Sequence, residues 1–322
     1  MANPRAAAAS GPSMVVLLGP QRLAPTIAPT LDALGIRGRI AAITAGWQER
    51  EGEDDELDEH LGKKSFNLRL YHRTHVVFSR DPELSQALHR RQNRLQELQR
   101  LYSVRLRHGL DAVQELRGRR ESDLAASAAE DAMAAVRMLD AEHLERMAEV
   151  HREFEAGIHL EERDGVMAER REIAARLAEA SVVAVAGGHV AVLLNRLRLF
   201  DIVSMLDGKP VVAWSGGAMV TGERIVLFHD SPPQGPGYAE VLESGLGLHR
   251  GLVPFPHARR RLRLHDPDRV VLVARRFRPA VCVAMDDRDR IDWEPGRGWR
   301  APGGIGHLRE DGTVDRIRAV AV

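Results

Sequence analysis

The chain has a single cysteine, Cys282, among 322 residues, which excludes an internal disulfide and any zinc site built on several thiolates. That cysteine sits in the apolar run 280–285, where a buried strand residue is the ordinary reading. Net charge is also lacking: 46 basic residues offset 46 acidic ones, so no global field draws the chain to nucleic acid or to an anionic membrane. Lysine occurs only at 63, 64 and 209, and arginine carries the remaining positive charge. No apolar run approaches the ~18 residues a membrane-spanning helix requires. Residues 1–12 are rich in Ala, Pro and Ser, but a basic start followed by an apolar core is missing. A cytoplasmic protein with a disordered stretch over 1–13 is therefore expected.

What is present falls into three regions. Over 14–78 strand and helix signals alternate. Apolar runs at 14–18 and 39–44 close at Gly19-Pro20 and Ala45-Gly46, and 27–34 between them has helical spacing that stops at Gly35. The acidic stretch 49–59 opens another helix, and 67–70 reads as a third strand. From Pro82 to about 178 proline is gone, glycine is scarce and charges alternate in sign. Leu84, Leu88, Leu95, Leu98, Tyr102, Leu106, Leu110, Val113 and Leu116 form one helical stripe. Leu124, Ala128, Ala132, Val136, Leu139, Leu144, Met147, Val150 and Phe154 form a second, beyond a break at Gly118. Two such helices predict an antiparallel hairpin over 82–157, with a third helix at 166–177. The Arg and Glu residues here read as solvated faces and i,i+4 pairs. Apolar stripes this long predict a homodimer through the hairpin.

The α/β texture returns over 181–322. Runs at 181–186 and 211–214 read as buried strands, 190–206 as a helix, and 270–276 and 280–285 as further strand or helix signals. Gly- and Pro-rich turns are expected around 299–306, then a short strand at 314–317. The expected fold is α/β: a doubly wound, mostly parallel sheet built from 14–81 and 179–322, interrupted by a helical insertion at 82–178.

The most informative stretch is Val211-Val212-Ala213-Trp214-Ser215-Gly216-Gly217-Ala218, an apolar strand running into a serine followed only by small residues. A strand–nucleophile–helix turn is tight and strained, so its neighbours must be small. The turn lifts Ser215 to the C-terminal edge of the sheet, where open α/β sheets bind ligands, and puts backbone N–H groups beside it. A plain Gly-rich turn is the competing reading, and Ala213 stands where the usual G-x-S-x-G pattern has its first glycine.

Trp214-Ser215-Gly216-Gly217-Ala218 resembles the Trp-Ser-Ala-Gly-Ala elbow of the dipeptidase E and cyanophycinase family of serine peptidases. Gly187-Gly188 resembles that family's Gly-Gly-Asp/Asn-Gln loop, and Gly245-Leu246-Gly247-Leu248 the Gly-Leu-Gly-Leu that precedes its catalytic histidine. His257 falls at the matching distance, Arg261 and Arg263 echo a cyanophycinase pattern, and the run to Asp286-Asp287 is similar to the family's Gly-Ile-Asp-Glu strand end. The resemblance covers 180–320 well and 14–75 weakly, and it implies the flavodoxin-like fold of class I glutamine amidotransferases. It further implies Ser215 as nucleophile, His257 as base and Asp287 as the acid, with Gly187, Gly188 and Gly216 at the oxyanion. Three positions depart from the family: His189-Val190 replaces Asp/Asn-Gln, Asp287 stands for glutamate, and His257 lies in Pro-Phe-Pro-His-Ala.

Among the individual residues, Asp286 is the alternative acid and Glu223 a more distant one, while His189 could line the pocket. Arg261, in the cluster 259–263, suits a substrate carboxylate, although a surface strip is the commoner explanation of such a cluster. The cluster lacks the interleaved aromatics of a nucleic-acid site. No His/Asp/Glu spacing suggests a metal, and no cofactor is expected. The leading function is hydrolysis of small peptides or amide bonds by a Ser-His-acid triad. The competing one is a catalytically silent amidotransferase-like module that binds a ligand or protein through its insertion.

Overall fold

The computed structural model describes residues 11–119, 123–230 and 237–320. Of the stretch expected to be disordered, residues 1–10 lie outside these ranges. The first region supplies β1 (Met14–Leu18), α1 (Ile27–Ala33), β2 (Arg39–Ile43), α2 (Asp55–His60), β3 (Ser65–Asn67) and α3 (Leu70–Arg80). The central region supplies α4 (Pro82–Gly118), α5 (Asp123–Ile158) and α6 (Asp164–Ala178). The last region begins with β4 (Ala180–Val185), α7 (Val190–Leu199), β5 (Pro210–Trp214), α8 (Gly216–Val220), β6 (Arg224–Leu227) and β7 (Glu240–Ser244). It continues with β8 (Leu252–Pro256), α9 (Ala258–Arg261), α10 (Pro267–Phe277), β9 (Val281–Met285), β10 (Arg290–Glu294), β11 (Gly298–Leu308) and β12 (Val314–Val320). Among the described residues no helix is long and apolar enough to cross a membrane.

The apolar runs become strands because both of their faces are dry. Val15 and Leu17 of β1, Ala41 and Ile43 of β2, Val183 and Val185 of β4, and Val211 and Ala213 of β5 enter one core. Val16, Leu18, Ile40, Val182, Ala184, Val212 and Trp214 enter a second core on the opposite face, under Ile27 and Leu31 of α1 and Leu61 beside α2. Continuous rather than alternating apolarity is what a parallel strand covered on both sides requires. The sheet runs β3-β2-β4-β5-β1-β10-β11-β9-β8, with β12 on β11, and β6-β7 forms a separate hairpin. The first five strands are mutually parallel, and β2 and β1 pair with β4 and β5 across the insertion. The fold is α/β with a mostly parallel central sheet and a long helical region.

Three expectations are corrected. The third strand ends at Asn67, and Leu70 opens α3 instead. The helix expected over 190–206 stops at Leu199, after which Asp201 takes a left-handed turn into a short 3-10 segment, Ile202–Met205. The stretch around 299–306 is strand: β11 runs through it with a register shift between Arg300 and Ile305, where Gly304 takes φ 75°. That irregularity bends β11, so its first part pairs with β10 and its second with β9. The ambiguous 270–276 run is helix, capped by the Asp266 side chain on the Arg269 N–H at 3.2 Å with Pro267 in its first turn.

The insertion lies against the α/β body. Each long helix spans about 55 Å at 1.5 Å per residue. Leu84, Leu106, Leu110, Val113, Val136 and Phe154 join the core shared with the sheet, and Leu95, Met147 and Val150 fill a smaller cluster between the two helices. The stripes are thus largely covered within one chain; Leu101, Val104, Leu124 and Met138 stay exposed. Two buried polar contacts fix the insertion in place. Arg276 of α10 donates to both Asp140 oxygens and to the Tyr102 hydroxyl, all at 2.7 Å, while the Val241 N–H donates to that hydroxyl at 3.1 Å. Arg198 of α7 pairs with buried Glu243, meets the His151 Nε2 at 3.1 Å and donates to the Ser244 carbonyl at 2.7 Å.

Asp140→Ala leaves the Arg276 guanidinium buried without its carboxylate. Denaturant unfolding should show a loss of about 3–5 kcal/mol, and the double variant Asp140→Leu/Arg276→Met should recover most of it.

Candidate active site

β5 delivers Ser215 to a turn that an L-residue adopts only under constraint: φ 51°, ψ −124°. The constraint is close approach of backbones. A Cβ on Gly187 would lie 2.7 Å from the Ser215 Cβ, and one on Gly217 would lie 2.3 Å from the Val185 carbonyl oxygen. Larger residues at either position would drive β4 and β5 apart and release the turn. Among the described residues, the N–H groups of Gly187 and Gly188 have no backbone partner. The Gly216 N–H, in the first turn of α8, has none within its helix. These three donors stand at the strand ends that meet at Ser215.

His257 follows β8 in a left-handed conformation, φ 59° and ψ 36°, and its Nε2 lies 2.9 Å from the Ser215 Oγ. Burial holds the imidazole below its usual pKa; Arg261 and Arg260 push the same way, and Asp287 opposes them. The neutral ring that accepts a proton is therefore the prevailing form at neutral pH.

The nearby acids are placed differently from Ser215 and His257. Exposed Asp287 makes no hydrogen bond to the imidazole and acts on it through its field alone. Asp286 accepts the Arg259 N–H at 3.1 Å, two residues past His257, and so fastens the histidine loop to the end of β9. Burial raises the Asp286 pKa against that hydrogen bond. The same turn is tied to the end of β1, since the Gly19 N–H donates to the Asp289 carbonyl at 2.8 Å. Glu223 accepts the Gly251 N–H at 3.0 Å and plays no part beside the imidazole.

The His189 ring accepts the Val192 N–H at 3.3 Å, which caps α7. Arg261 is half-buried beside His257 and His229, and burial lowers its pKa. Among the described residues no carboxylate pairs with its guanidinium. The loop carrying it is anchored underneath by the buried pair Asp230–Arg269, with the Arg263 N–H donating to Asp230 at 3.1 Å. A cavity of about 600 Å³ between the insertion and the Tyr238–Arg269 region contains neither Ser215 nor His257. His159, Glu161 and Glu162 form a cation-sized grouping on the exposed surface.

Two features escaped the sequence reading. His249 is fully buried beneath the elbow helix, its Cε1 3.3 Å from where a Cβ on Gly222 would sit, and neither ring nitrogen makes a well-formed hydrogen bond. Burial pushes it down to about 4, against a weaker pull from the Ala218 backbone. Buried Glu51 accepts the N–H groups of Tyr71 and His72 at 3.0 and 2.8 Å, which closes the start of α3. Neither residue carries a spacing or motif that marks it.

A serine hydrogen-bonded to an imidazole on a strained strand–helix turn, with backbone N–H groups alongside, is an arrangement of the kind that nucleophilic hydrolysis uses. Residues 133–274 match the model of peptidase family S51. That family consists of serine peptidases. The crystal structure of a peptidase from an acI-B1 Actinobacterium is similar over 97% of this chain and 96% of its own, with 12% identity and a TM-score of 0.48. Comparison with curated proteins finds no significant match.

The buried histidine has a measurable consequence. His249 takes a proton in the unfolded chain near pH 6.5 but in the folded chain only near about 4. Between those values the unfolded state binds more protons, so stability falls as pH drops. His249→Gln should flatten the slope of unfolding free energy against pH in this window by about 1.4 kcal/mol per unit. An unchanged slope would show that His249 is not held neutral.

Proposed function

We propose that this chain hydrolyses peptide or amide bonds in small substrates, with Ser215 as nucleophile and His257 as general base. The observation that carries the reading is the 2.9 Å contact between Ser215 Oγ and His257 Nε2 at the strained end of β5. The serine proton passes to Nε2 as Oγ bonds to the substrate carbonyl carbon, and the carbonyl electron pair moves onto oxygen. The N–H groups of Gly187, Gly188 and Gly216 receive that oxyanion. Collapse expels the amine, which takes the proton from His257, and a water molecule repeats the sequence on the acyl-enzyme. Asp287 stabilises the imidazolium through its field. Arg261, which has no carboxylate partner among the described residues, receives a substrate carboxylate.

A silent binding module is the second reading, favoured by the missing hydrogen bond between Asp287 and His257 and by the use of His189 as a helix cap. Labelling with a fluorophosphonate probe separates the two: an active site is modified at Ser215 and a silent one is not. Ser215→Ala should cut hydrolysis on the order of 10⁴-fold with the fold retained. Asp287→Asn should cost only about tenfold, since it removes a field and no hydrogen bond. The acid limb of the kcat/KM–pH profile should fall below pH 6.5, following the lowered His257 pKa. A limb above 6.5 would count against His257 as the base.

The homodimer is a proposal of the same kind, narrowed to the exposed Leu101, Val104 and Met138 of the insertion. Light scattering should show a dimer that Leu101→Glu/Val104→Glu dissociates. A monomer at all concentrations would leave those side chains as ordinary exposed surface.

A further inference from the structure

Gln48 takes φ 59° and ψ −126°, almost the conformation of Ser215 at φ 51° and ψ −124°. Both residues follow parallel strands of the same sheet, β2 and β5, with β4 between them. For a residue with a Cβ this region is sparsely populated, and it persists only where the surroundings over-determine it. They do so here. The Thr44 hydroxyl donates to the Glu51 carbonyl at 3.0 Å, and the Asn67 amide donates to the Thr44 oxygen and the Glu51 carbonyl at 2.7 and 2.9 Å. The Glu51 N–H in turn donates to the Gln48 carbonyl at 2.8 Å. Trp47 packs into the core beneath the sheet.

The loop so held abuts the oxyanion loop. A Cβ on Gly188 would lie 2.3 Å from the Gly46 carbonyl oxygen, and the His189 N–H donates to that oxygen at 2.7 Å. Gly187 in turn abuts Ser215. Gln48 is partly buried, and among the described residues its carboxamide has no hydrogen-bond partner. The polar side chains that the neighbouring Gly-Gly loop would be expected to offer are absent, because His189 caps a helix and Val190 is apolar.

We propose that Gln48 is a specificity-determining residue that hydrogen-bonds the substrate backbone two to three residues from the scissile bond. This rests on the hydrolase reading of Ser215. The distance follows from the sheet: β2 and β5 are two strand spacings apart, about 9–10 Å. An extended peptide covers that span in about three residues.

The test compares wild type, Gln48→Ala and Gln48→Gly on a one-residue aminoacyl p-nitroanilide and on peptides extended by three residues on either side of the cleaved bond. Fluorophosphonate labelling of Ser215 runs in parallel. Both variants should lose about tenfold in kcat/KM on the extended peptides, mostly through KM, because the interaction exists before the transition state. Hydrolysis of the one-residue probe and the labelling rate should stay within about twofold. Gln48→Gly, which relieves the backbone strain, should melt no lower than wild type. Equal losses on short and long probes, no loss on either, no gain from extending the substrate, or a lowered Tm for Gln48→Gly would each overturn the assignment. Failure of the wild type to label at Ser215 would overturn the hydrolase reading, and this assignment with it.

Discussion

Everything at the site depends on how closely three strand ends approach one another. Ser215 can hold φ 51° because Gly187 and Gly217 leave no side chain between its turn and β4. Gly188 nests against Gly46 for the same reason, which brings the end of β2 into the same layer. The result is a run of backbone contacts from the Gln48 loop through the Gly187-Gly188 loop to Ser215. A rigid layer of this kind holds N–H donors in position without side-chain entropy to lose, which is what electrostatic stabilisation of a developing charge requires. The bend in β11 completes it from the other side, because β8 and β9 reach the edge where His257 and Asp286 meet Ser215 and Gly19.

The insertion is the second support. Its two buried contacts hold α7 and α10, and these are the helices that leave the Gly-Gly loop and follow the His257 loop. Arg276 has its carboxylate only because α5 brings Asp140 to it, and Arg198 meets Glu243 and His151 where α5 passes β7. The hairpin thus supplies both the carboxylate and the cover of a guanidinium that is 2% exposed. The helical stretch therefore belongs mechanically to the α/β body, even though its composition looks like that of a separate unit.

Much of this was legible in the sequence because periodicity reports burial directly. Runs with two dry faces read as parallel strands, the three-and-four spacing of Leu95 to Val113 read as one helix, and small residues after Ser215 read as a tight turn. The pairing of Ser215 with His257 was suggested by the resemblance of the elbow and the Gly245-Leu246-Gly247-Leu248 stretch to family motifs, not by periodicity. Other features left no such trace. Turn-forming residues mislead at β11, where Pro302, Gly303 and Gly304 mark a bulge that bends a strand without ending it. Nothing in the sequence marks Asp140 and Arg276 as partners, because their contact spans 136 residues. Asp287 occupies the right place in chain order, but order carries no information on whether a short side chain reaches the imidazole. His249 is one histidine among fourteen until burial singles it out.

The electrostatics around His257 would couple the imidazole to an anion bound beside it. Burial and the two arginines favour the neutral imidazole, which keeps it ready to accept a proton. The same environment works against the imidazolium formed when it does so, and Asp287 opposes this only at a distance. Arg261 is the larger of the two arginine influences, and it has no carboxylate of its own among the described residues. An anion bound there would neutralise the charge that most disfavours the protonated ring, and so raise the basicity of His257 as the substrate arrives. Desolvation by the same substrate would strengthen that coupling, because charges interact more strongly once water has left. On the proposed hydrolase reading, a bound carboxylate would do part of the work that a hydrogen-bonded acid does in a tighter triad.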